Sequence, residues 1–416
     1  MRIYKFGGAS IKDSDQIKNL PLILNKTGTE KTFLVVSAIG KTTNLLEKIV
    51  LNYLDKSEEL EPSINKLFSF HNQILQKLFQ SKNHDIYNVV STIFNDARSF
   101  LKRNKSPNYS FVYDQLVPIG ELLSTKIICA YLNESGIKCN WLDSRTLIKT
   151  DSSYRDANVV WDITKKNINK NINKSLLNIT QGFISSNENN FSTTLGREGS
   201  DYSAAIYAFC LNANSVTIWK DVPGVLNADP RVFKSTTLLE NLSYTEAIEL
   251  AFYGASVIHP RTLQPLQRKE IPLFVKSFIN PDGKGTIISK GEKIKPKVPC
   301  FIVKRNLNFL KLSSLDFSFI VEDNISEIFQ ILHENKMKVD LMQNSAISFS
   351  LCVEDKYNRL KELLSILKAT FKVECITGVN LFTIRHFDKN SEELILKDNE
   401  LVLEQRSNHV LRLVVK

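Results

Sequence analysis

The sequence has few of the features that mark a secreted, membrane-bound or metal-binding protein. Its 416 residues contain no apolar run long enough to span a membrane, and the N-terminus shows no signal-peptide stretch. The six cysteines form no C-x-x-C pair and the six histidines lie far apart, which argues against a zinc site and a disulfide framework. We therefore expect a cytoplasmic protein that does not act at a membrane.

The net charge of +10 is not arranged as in a nucleic-acid-binding protein. Lysine and arginine are interleaved with aspartate and glutamate, and the chain lacks a long basic block. Lysine, asparagine and isoleucine are abundant together, as in KKNINKNINKSLLNI, which is typical of A/T-rich coding sequences. We expect no nucleic-acid partner.

The first 290 residues alternate strand-like and helix-like segments. Hydrophobic residues make up 43% and charged residues 24%, as in a globular protein large enough for two or three domains. Five short apolar runs read as strands: Arg2–Phe6, Thr32–Ser37, Lys138–Leu142, Ser175–Gln181 and Ser215–Trp219. Residues 45–104 read as helix, with His71 on the apolar stripe as a core residue. The alternation predicts an α/β fold with a mainly parallel sheet.

Beyond this region the pattern changes. Residues 291–299 are rich in lysine and proline and read as a linker. Residues 300–378 follow a βαββαβ order, which predicts a ferredoxin-like unit. Residues 379–416 show strand-like pieces with almost no helix between them, and we interpret them as a second, shortened unit.

Polar residues and glycines gather where the predicted strands end. Lys5 precedes Gly7 and Gly8, Ser37 ends the next strand, and Phe183 follows a third. Lys220 and Asp221 follow a fourth strand in the same way. Because ligands of parallel sheets collect at the carboxyl ends of strands, we expect a site there.

The segment from Thr194 to Arg231 carries most of these polar groups. Its turn, Gly196–Asp201, precedes a small-residue helix, a strand and an Asp- and Pro-rich loop. Glycine amides and a helix N-terminus favour an anion, although an ordinary helix cap has the same sequence features. A second candidate, Gly40-Lys41-Thr42, is not a P-loop because Val35 stands where that motif needs glycine.

Three motifs in this order resemble the aspartate kinases of the amino acid kinase superfamily. They are Lys5-Phe6-Gly7-Gly8, the Gly196–Asp201 turn, and Asp221-Val222-Pro223-Gly224 with Asp229-Pro230-Arg231. The resemblance implies an amino acid kinase domain, residues 1–290, in an α/β/α sandwich, followed by ACT-type domains. It also implies a monofunctional enzyme that uses ATP and Mg²⁺ to convert L-aspartate to 4-phospho-L-aspartate, the first step towards lysine, threonine and methionine.

The resemblance also implies roles for individual residues. Lys5, Gly8, Ser37 and Asp201 would form the catalytic centre. Substrate binding would fall to five residues: Thr43, Glu121, Phe183, Arg197 and Ser200. Nucleotide binding would involve ten: Lys5, Phe6, Gly7, Gly8, Lys220, Asp221, Leu226, Arg231, Ser256 and Val257. An aspartate side chain is ionised at neutral pH, so the reaction needs no general base, and positioning with charge neutralisation suffices.

The nucleotide side departs from the family pattern. Lys220 stands where threonine is usual, Leu226 replaces a common tyrosine, and Ser256 replaces a lysine. One hypothesis is that Lys220 supplies the charge that Ser256 lacks. The alternative is sequence drift with weakened ATP binding, and the sequence does not decide between them.

The C-terminal region departs further. A glycine-bearing effector turn is replaced by Val321-Glu322-Asp323-Asn324-Ile325, although Asp340 is retained. We expect weak or absent feedback by lysine, and a homodimer formed through the ACT region to cover the exposed sheet.

Two other functions stay open at this stage. The chain could be a regulatory homologue with weakened activity, or a kinase for another acid such as glutamate or acetylglutamate. The presence of Lys5, Glu121, Arg197 and Asp201 favours an active aspartate kinase.

Overall fold

The computed structural model describes residues 1–173, 175–255, 257–316 and 318–416, and divides them into two compact units. The first comprises Met1–Val225, Leu238–Ile248 and Ser256–Pro296. The second comprises Leu226–Thr237, Glu249–Ala255 and Lys297–Lys416. Two short segments predicted inside the kinase domain are therefore grouped with the C-terminal residues. Within the described part of the chain, no helix is long and apolar enough to cross a bilayer.

Ten strands and twelve helices precede the C-terminal region in the described residues. The strands are β1 (Arg2–Phe6), β2 (Thr32–Val36), β3 (Cys139–Leu142), β4 (Leu177–Gln181), β5 (Ile184–Ser186), β6 (Ser192–Thr194), β7 (Ser215–Lys220), β8 (Asn241–Ser243), β9 (Leu273–Ser277) and β10 (Thr286–Ser289). The helices are α1 (Ser14–Lys18), α2 (Leu20–Thr27), α3 (Thr42–Leu54), α4 (Leu60–Leu78), α5 (Ile86–Arg103), α6 (Tyr109–Leu116), α7 (Ile119–Glu134), α8 (Ser144–Leu147), α9 (Trp161–Asn171), α10 (Gly199–Leu211), α11 (Tyr244–Tyr253) and α12 (Pro260–Arg268).

The first unit is built on an eight-stranded sheet in the order β3-β4-β2-β1-β7-β9-β10-β8. All neighbours pair in parallel except β9 and β10. Alternate residues of β1 point to opposite faces, as the strand period requires. Tyr4 and Phe6 belong to a hydrophobic core that also includes residues of α1 to α7. Helix α10 packs against the sheet, and α9 and α12 pack against α10. The predicted mainly parallel α/β/α arrangement is confirmed.

The region 45–104, predicted to be helical, is made up of three helices, α3, α4 and α5. The first break follows α3, where Lys56 has a left-handed φ of 52° and the amide of Ser57 donates to the carbonyl of Asn52. The second break is the polar stretch 80–85 between α4 and α5. Three amphipathic helices can therefore fold back onto one face of the sheet, which a single helix of that length could not do.

Residues from Cys300 onwards form a six-stranded antiparallel sheet in the order β12-β13-β11-β14-β16-β15. Its elements are β11 (Cys300–Ser314), α13 (Glu322–Glu334), β12 (Lys338–Asn344), β13 (Ser348–Glu354), α14 (Leu360–Thr370), β14 (Phe371–Arg385), α15 (Lys389–Leu396), β15 (Leu401–Arg406) and β16 (Val410–Val415). β11 and β14 each run through both ACT-like repeats. The predicted boundary at 378/379 thus falls inside β14, and one sheet serves both repeats.

The expectation of almost no helix near the C-terminus is wrong, because α15 lies between β14 and β15. Asp388 and Ser391 form a reciprocal cap at its start: each side-chain oxygen accepts from the other residue's amide. Ile395 of this helix is buried against Leu411 and Leu413 of β16. The helix, eight residues long, is too short to be recognised from periodicity.

His71 is buried in the core, as predicted. Its Nδ1 lies 2.9 Å from the carbonyl oxygen of Leu67, and its Nε2 lies 3.5 Å from Thr42 Oγ1. Burial lowers the pKa of His71 to about 4, and the hydrogen bond to Leu67 opposes this only in part. Because the folded-state pKa lies below the unfolded value near 6.5, protonation favours the unfolded chain.

We therefore predict that the free energy of unfolding falls by about 2 kcal/mol between pH 7 and pH 5 through His71 alone. Denaturant titrations of the wild type and His71→Gln at both pH values measure this contribution, and His84→Gln, at a half-exposed histidine, is the control. The same pH dependence in the wild type and His71→Gln would contradict it.

Candidate active site

Four neighbouring strands deliver their polar residues to one cleft of about 360 Å³. β4, β2, β1 and β7 are consecutive and parallel, so their carboxyl ends lie side by side. Fifteen residues of the first unit line the cleft: Lys5, Gly8, Ser37, Ala38, Gly40, Thr43, Tyr113, Glu121, Phe183, Gly196, Glu198, Gly199, Ser200, Asp201 and Lys220. Of the residues that we placed at strand ends, Lys5, Gly8, Ser37, Phe183 and Lys220 line this cleft, whereas Gly7 and Asp221 do not.

The centre of the cleft is a buried carboxylate between two ammonium groups. Asp201 lies in the first turn of α10 and is 2% exposed. Lys5 Nζ lies 2.6 Å from Asp201 Oδ1, and Lys220 Nζ lies 3.5 Å from Oδ2. Burial by itself would raise the pKa of Asp201, but the charges of Lys5 and Lys220 outweigh it and hold that pKa below the ordinary value.

Lys220 is held in this position from two sides. It is the last residue of β7, and its Nζ also donates a hydrogen bond to the carbonyl oxygen of Val257. One backbone carbonyl and one carboxylate therefore fix its ammonium group beside Asp201.

The loop after β4 and the start of α10 approach each other closely. A Cβ on Gly182 would lie 2.7 Å from Ser200 Cβ, and one on Gly199 would lie 2.7 Å from Phe183 Cδ2. Neither glycine could carry a side chain without separating the two segments. The amide of Phe183 donates to Ser203 Oγ at 2.8 Å, which fixes the loop on the helix.

Glu121 is a second buried carboxyl group in the same cleft, and its pKa is shifted in the opposite direction from that of Asp201. It lies in the first turn of α7, is 3% exposed, and its Oε1 accepts from the amide of Ala38 at 3.3 Å. Among the described residues, none donates a hydrogen bond to Oε2. Burial raises the pKa of Glu121 to about 8, although the Ala38 amide and the charge of Lys5 oppose the rise.

Several residues predicted for the site lie outside the cleft. The side chain of Phe6 is fully buried and stacks on Trp219, with ring planes 2° apart, so only its backbone could reach a ligand. Gly7 caps the short 3-10 turn Gly8–Ile11, and Arg197 and Asp221 are exposed. Ser256 lies outside the described residues.

The remaining two predicted nucleotide residues, Leu226 and Arg231, belong to the second unit. There Arg231 forms an ion pair with Asp229 at 2.7 Å, and its side chain is 85% exposed. The structure leaves this guanidinium accessible to solvent.

The structure also adds residues that the sequence analysis did not select. Tyr113 comes from α6 and donates to Glu47 at 2.9 Å, and nothing in its sequence context marks it. Glu198 has a left-handed φ of 52°, and burial raises its pKa. It stands inside the Gly196–Asp201 turn, so the motif itself could have identified it.

The sequence and the fold of this chain are similar to those of known proteins. The model of the amino acid kinase family matches residues 1–277. The chain is 30% identical to the lysine-sensitive aspartokinase 3 of Escherichia coli over 399 residues, which cover 92% of this chain and 86% of the relative. The crystal structure of E. coli aspartokinase III in complex with aspartate and ADP matches with a TM-score of 0.79 and 27% identity, over 100% of this chain and 96% of that one.

Other relatives are longer. The bifunctional aspartokinase/homoserine dehydrogenase 2 of Arabidopsis thaliana is 28% identical over 382 residues. The match covers 87% of this chain but only 41% of that relative. The chain thus spans less than half the length of this bifunctional relative.

The geometry of Glu121 predicts a gain in stability when its charge is removed. The folded-state pKa near 8 lies above the unfolded value of 4.5, so ionisation progressively favours the unfolded chain between these pH values. We expect Glu121→Gln to raise the free energy of unfolding by roughly 2–4 kcal/mol at pH 8, and by much less at pH 4.5.

Denaturant titrations at both pH values measure this difference. Glu134→Gln, at the exposed end of the same helix, is the matched control and should change stability little at either pH. A Glu121→Gln variant that is less stable than the wild type at pH 8 would contradict the prediction.

Proposed function

The chain belongs to the amino acid kinase family, and within it to the aspartate kinases, and we propose on this premise that it phosphorylates the side-chain carboxylate of L-aspartate with ATP. The product would be 4-phospho-L-aspartate, as the sequence motifs imply. The observation that carries the proposal is the cleft itself, where two lysines flank Asp201 and a buried glutamate stands nearby. The E. coli relative was crystallised with aspartate and ADP, the substrate and nucleotide that these groups suit.

The phosphoryl-transfer step relies on charge and position rather than on a base. The acceptor carboxylate is already ionised at neutral pH, so no proton has to be removed. Lys5 and Lys220 supply two positive charges to the transferring phosphoryl group, while Asp201 holds both ammonium groups in place. Gly8 and Ser37 also line the cleft, and we propose that they donate hydrogen bonds to phosphate oxygens.

The ammonium group of the amino-acid substrate would be held by a negatively charged carboxylate rather than by lysines. Glu121 offers Oε2 to the α-ammonium group, and the arriving positive charge would stabilise its ionised form. Thr43, Ser200 and Phe183 line the surrounding surface. Arg197 remains the proposed partner of the α-carboxylate, for which its exposed guanidinium would have to turn into the cleft.

The nucleotide would contact the amides of Phe6, Gly7 and Gly8. It would also contact Lys220, at the end of β7, and Val257. Asp221 is exposed and available to it. Leu226 and Arg231 stay part of the proposed nucleotide site, as does Ser256.

Magnesium is proposed as the ion carried by the nucleotide. Within the described part of the chain, no His, Cys, Asp and Glu side chains group as metal ligands, and the Asp201 carboxylate is engaged by two ammonium groups. We therefore propose that phosphate oxygens, rather than a cluster of protein side chains, hold the ion. Mg²⁺ is ordinarily held by substrate phosphates, whose charge it would neutralise when bound.

We also propose that lysine inhibits this chain weakly or not at all. Asp340 is retained from the family's effector region, and its Oδ1 lies 2.6 Å from Lys304 Nζ. An internal ammonium group therefore already engages one oxygen of this carboxylate. The expected homodimer stays a prediction, supported by exposed Leu315, Phe319 and Ile347 in the C-terminal unit. A cytoplasmic location likewise stays a prediction from the sequence.

The proposed activity predicts ADP release that depends on aspartate. A coupled assay with aspartate, glutamate or no acceptor should give turnover with aspartate alone, and millimolar lysine or threonine should leave the rate nearly unchanged. Lys5→Met should lower kcat at least a hundredfold, because one of two charges on the phosphoryl group is lost. Lys12→Met, at an exposed lysine, is the matched control.

The other outcomes of this assay contradict the proposal in distinct ways. Faster turnover with glutamate would indicate a kinase for another acid. An absence of turnover with every acceptor would indicate a regulatory homologue. Strong inhibition by lysine would refute the regulatory proposal alone.

The position of Lys220 predicts weaker binding of ATP, in addition to the loss of kcat expected when a positive charge near the phosphoryl group is removed. Lys220→Thr, which restores the residue usual in the family, should raise the KM for ATP roughly 10- to 100-fold, as expected for loss of one charge-assisted hydrogen bond. The KM for aspartate should change much less. Lys220→Arg keeps the charge and should recover part of the affinity, whereas an unchanged KM for ATP in Lys220→Thr would rule out compensation for Ser256.

A further inference from the structure

Two cysteines lie against each other at the edge of the large sheet, away from the cleft residues. Cys129 belongs to α7, and Cys139, ten positions later, is the first residue of the edge strand β3. Both are free thiols, and their Sγ atoms lie 2.8 Å apart. The two thiols are in direct contact and hydrogen-bonded to each other.

The side chain of Asn133 holds both cysteines in this arrangement. Its Nδ2 donates to the carbonyl oxygen of Cys129 at 2.9 Å, and its Oδ1 accepts from the amide of Cys139 at 3.0 Å. The same Nδ2 lies 3.6 Å and 3.8 Å from the two Sγ atoms. One amide group thus ties the end of α7 to the start of β3 and keeps the thiols paired.

The electrostatics of the pair favour a reactive thiolate. The hydrogen bond from Cys139 lowers the pKa of the Cys129 thiol, burial opposes this, and the nearby charge of Lys126 lowers it further. The Lys126 ammonium is itself fixed 3.3 Å above the ring of Trp141 on β3. The thiolate is the reactive form of cysteine, and Cys139 is only half-buried, so a small oxidant can reach the pair.

We propose that Cys129 and Cys139 form an oxidisable dithiol site that a hydroperoxide converts into an intramolecular disulfide. The Cys129 thiolate attacks one peroxide oxygen, the O–O bond breaks, and with one proton the products are a sulfenic acid and water. The sulfur of Cys139 then attacks the sulfenic sulfur, forms the S–S bond and releases a second water. Two thiols are oxidised by two electrons and one hydrogen peroxide is reduced to two waters.

The disulfide would join α7, which carries Glu121 in its first turn, to β3. It would close a short loop in the unfolded chain, which is the usual source of disulfide stabilisation. The oxidised protein should therefore melt about 5 °C higher than the reduced protein.

The test uses the full-length reduced protein and stoichiometric hydrogen peroxide. After oxidation, free thiols are alkylated in denaturant, and the intact mass and the peptide map are measured. The expected result is the loss of two hydrogen atoms, two thiols protected from alkylation, and a single cross-linked peptide pair containing Cys129 and Cys139. Reduction with dithiothreitol should restore all six thiols.

Two variants sharpen the assignment. Cys139→Ser should give at least tenfold less cross-linked peptide than the wild type, because Cys129 then has no neighbouring thiol with which to form a disulfide, while Cys375→Ser, at another half-buried cysteine, should match the wild type. A full set of alkylated thiols after peroxide treatment would overturn the proposal, as would a cross-link through any other cysteine. If Cys139→Ser fails to fold, the wild-type peptide map alone decides. None of these readouts depends on kinase activity, so failure of the proposed function would leave the test intact.

Discussion

The site depends on how the fold accommodates the buried charge of Asp201. A carboxylate that is almost fully removed from water is costly unless opposite charges and hydrogen bonds compensate for the lost hydration. Lys5 and Lys220 supply that compensation from adjacent parallel strands, β1 and β7, and Asp201 comes from the N-terminus of α10. Removing any one of the three side chains would leave the buried charges of the other two unbalanced. The arrangement therefore constrains the register of the sheet and the start of the helix together, and it concentrates positive charge where a phosphoryl group would pass.

Glu121 is the counterpart of Asp201 in the same cleft. Both carboxyl groups are buried, yet the pKa of Asp201 is held down by two lysines while that of Glu121 is raised to about 8 by burial. Pairs of carboxyl groups with opposite shifts often mark different roles within one site. Here the difference fits two roles: Asp201 would position the two lysine ammonium groups, and Glu121 would bind the ammonium group of the substrate. Burial of Glu121 thus lowers the stability of the folded chain when the carboxyl group is ionised. Such a cost is common for residues that bind a ligand.

The C-terminal unit shows how one sheet can serve two repeats. β11 and β14 are each 15 residues long, and each continues from one repeat into the other. The boundary predicted at 378/379 assumed that each strand belongs to one repeat, and it falls inside the continuous strand β14. Helix α15 was not predicted, because its eight residues are stabilised by a cap and by burial of Ile395 rather than by a long apolar stripe.

The sequence by itself determined the fold class, the strand ends whose polar residues line the cleft, and the motif that ends in Asp201. It could do so because strand and helix periodicity are local, and because parallel strands direct their carboxyl ends to one edge. Only the tertiary structure decided that Lys220 contacts Asp201, that Phe6 stacks inside the core, and that Tyr113 reaches the cleft from α6. The pairing of Cys129 with Cys139 also required it. These features depend on side-chain directions and on which elements become neighbours, and no local pattern encodes either one.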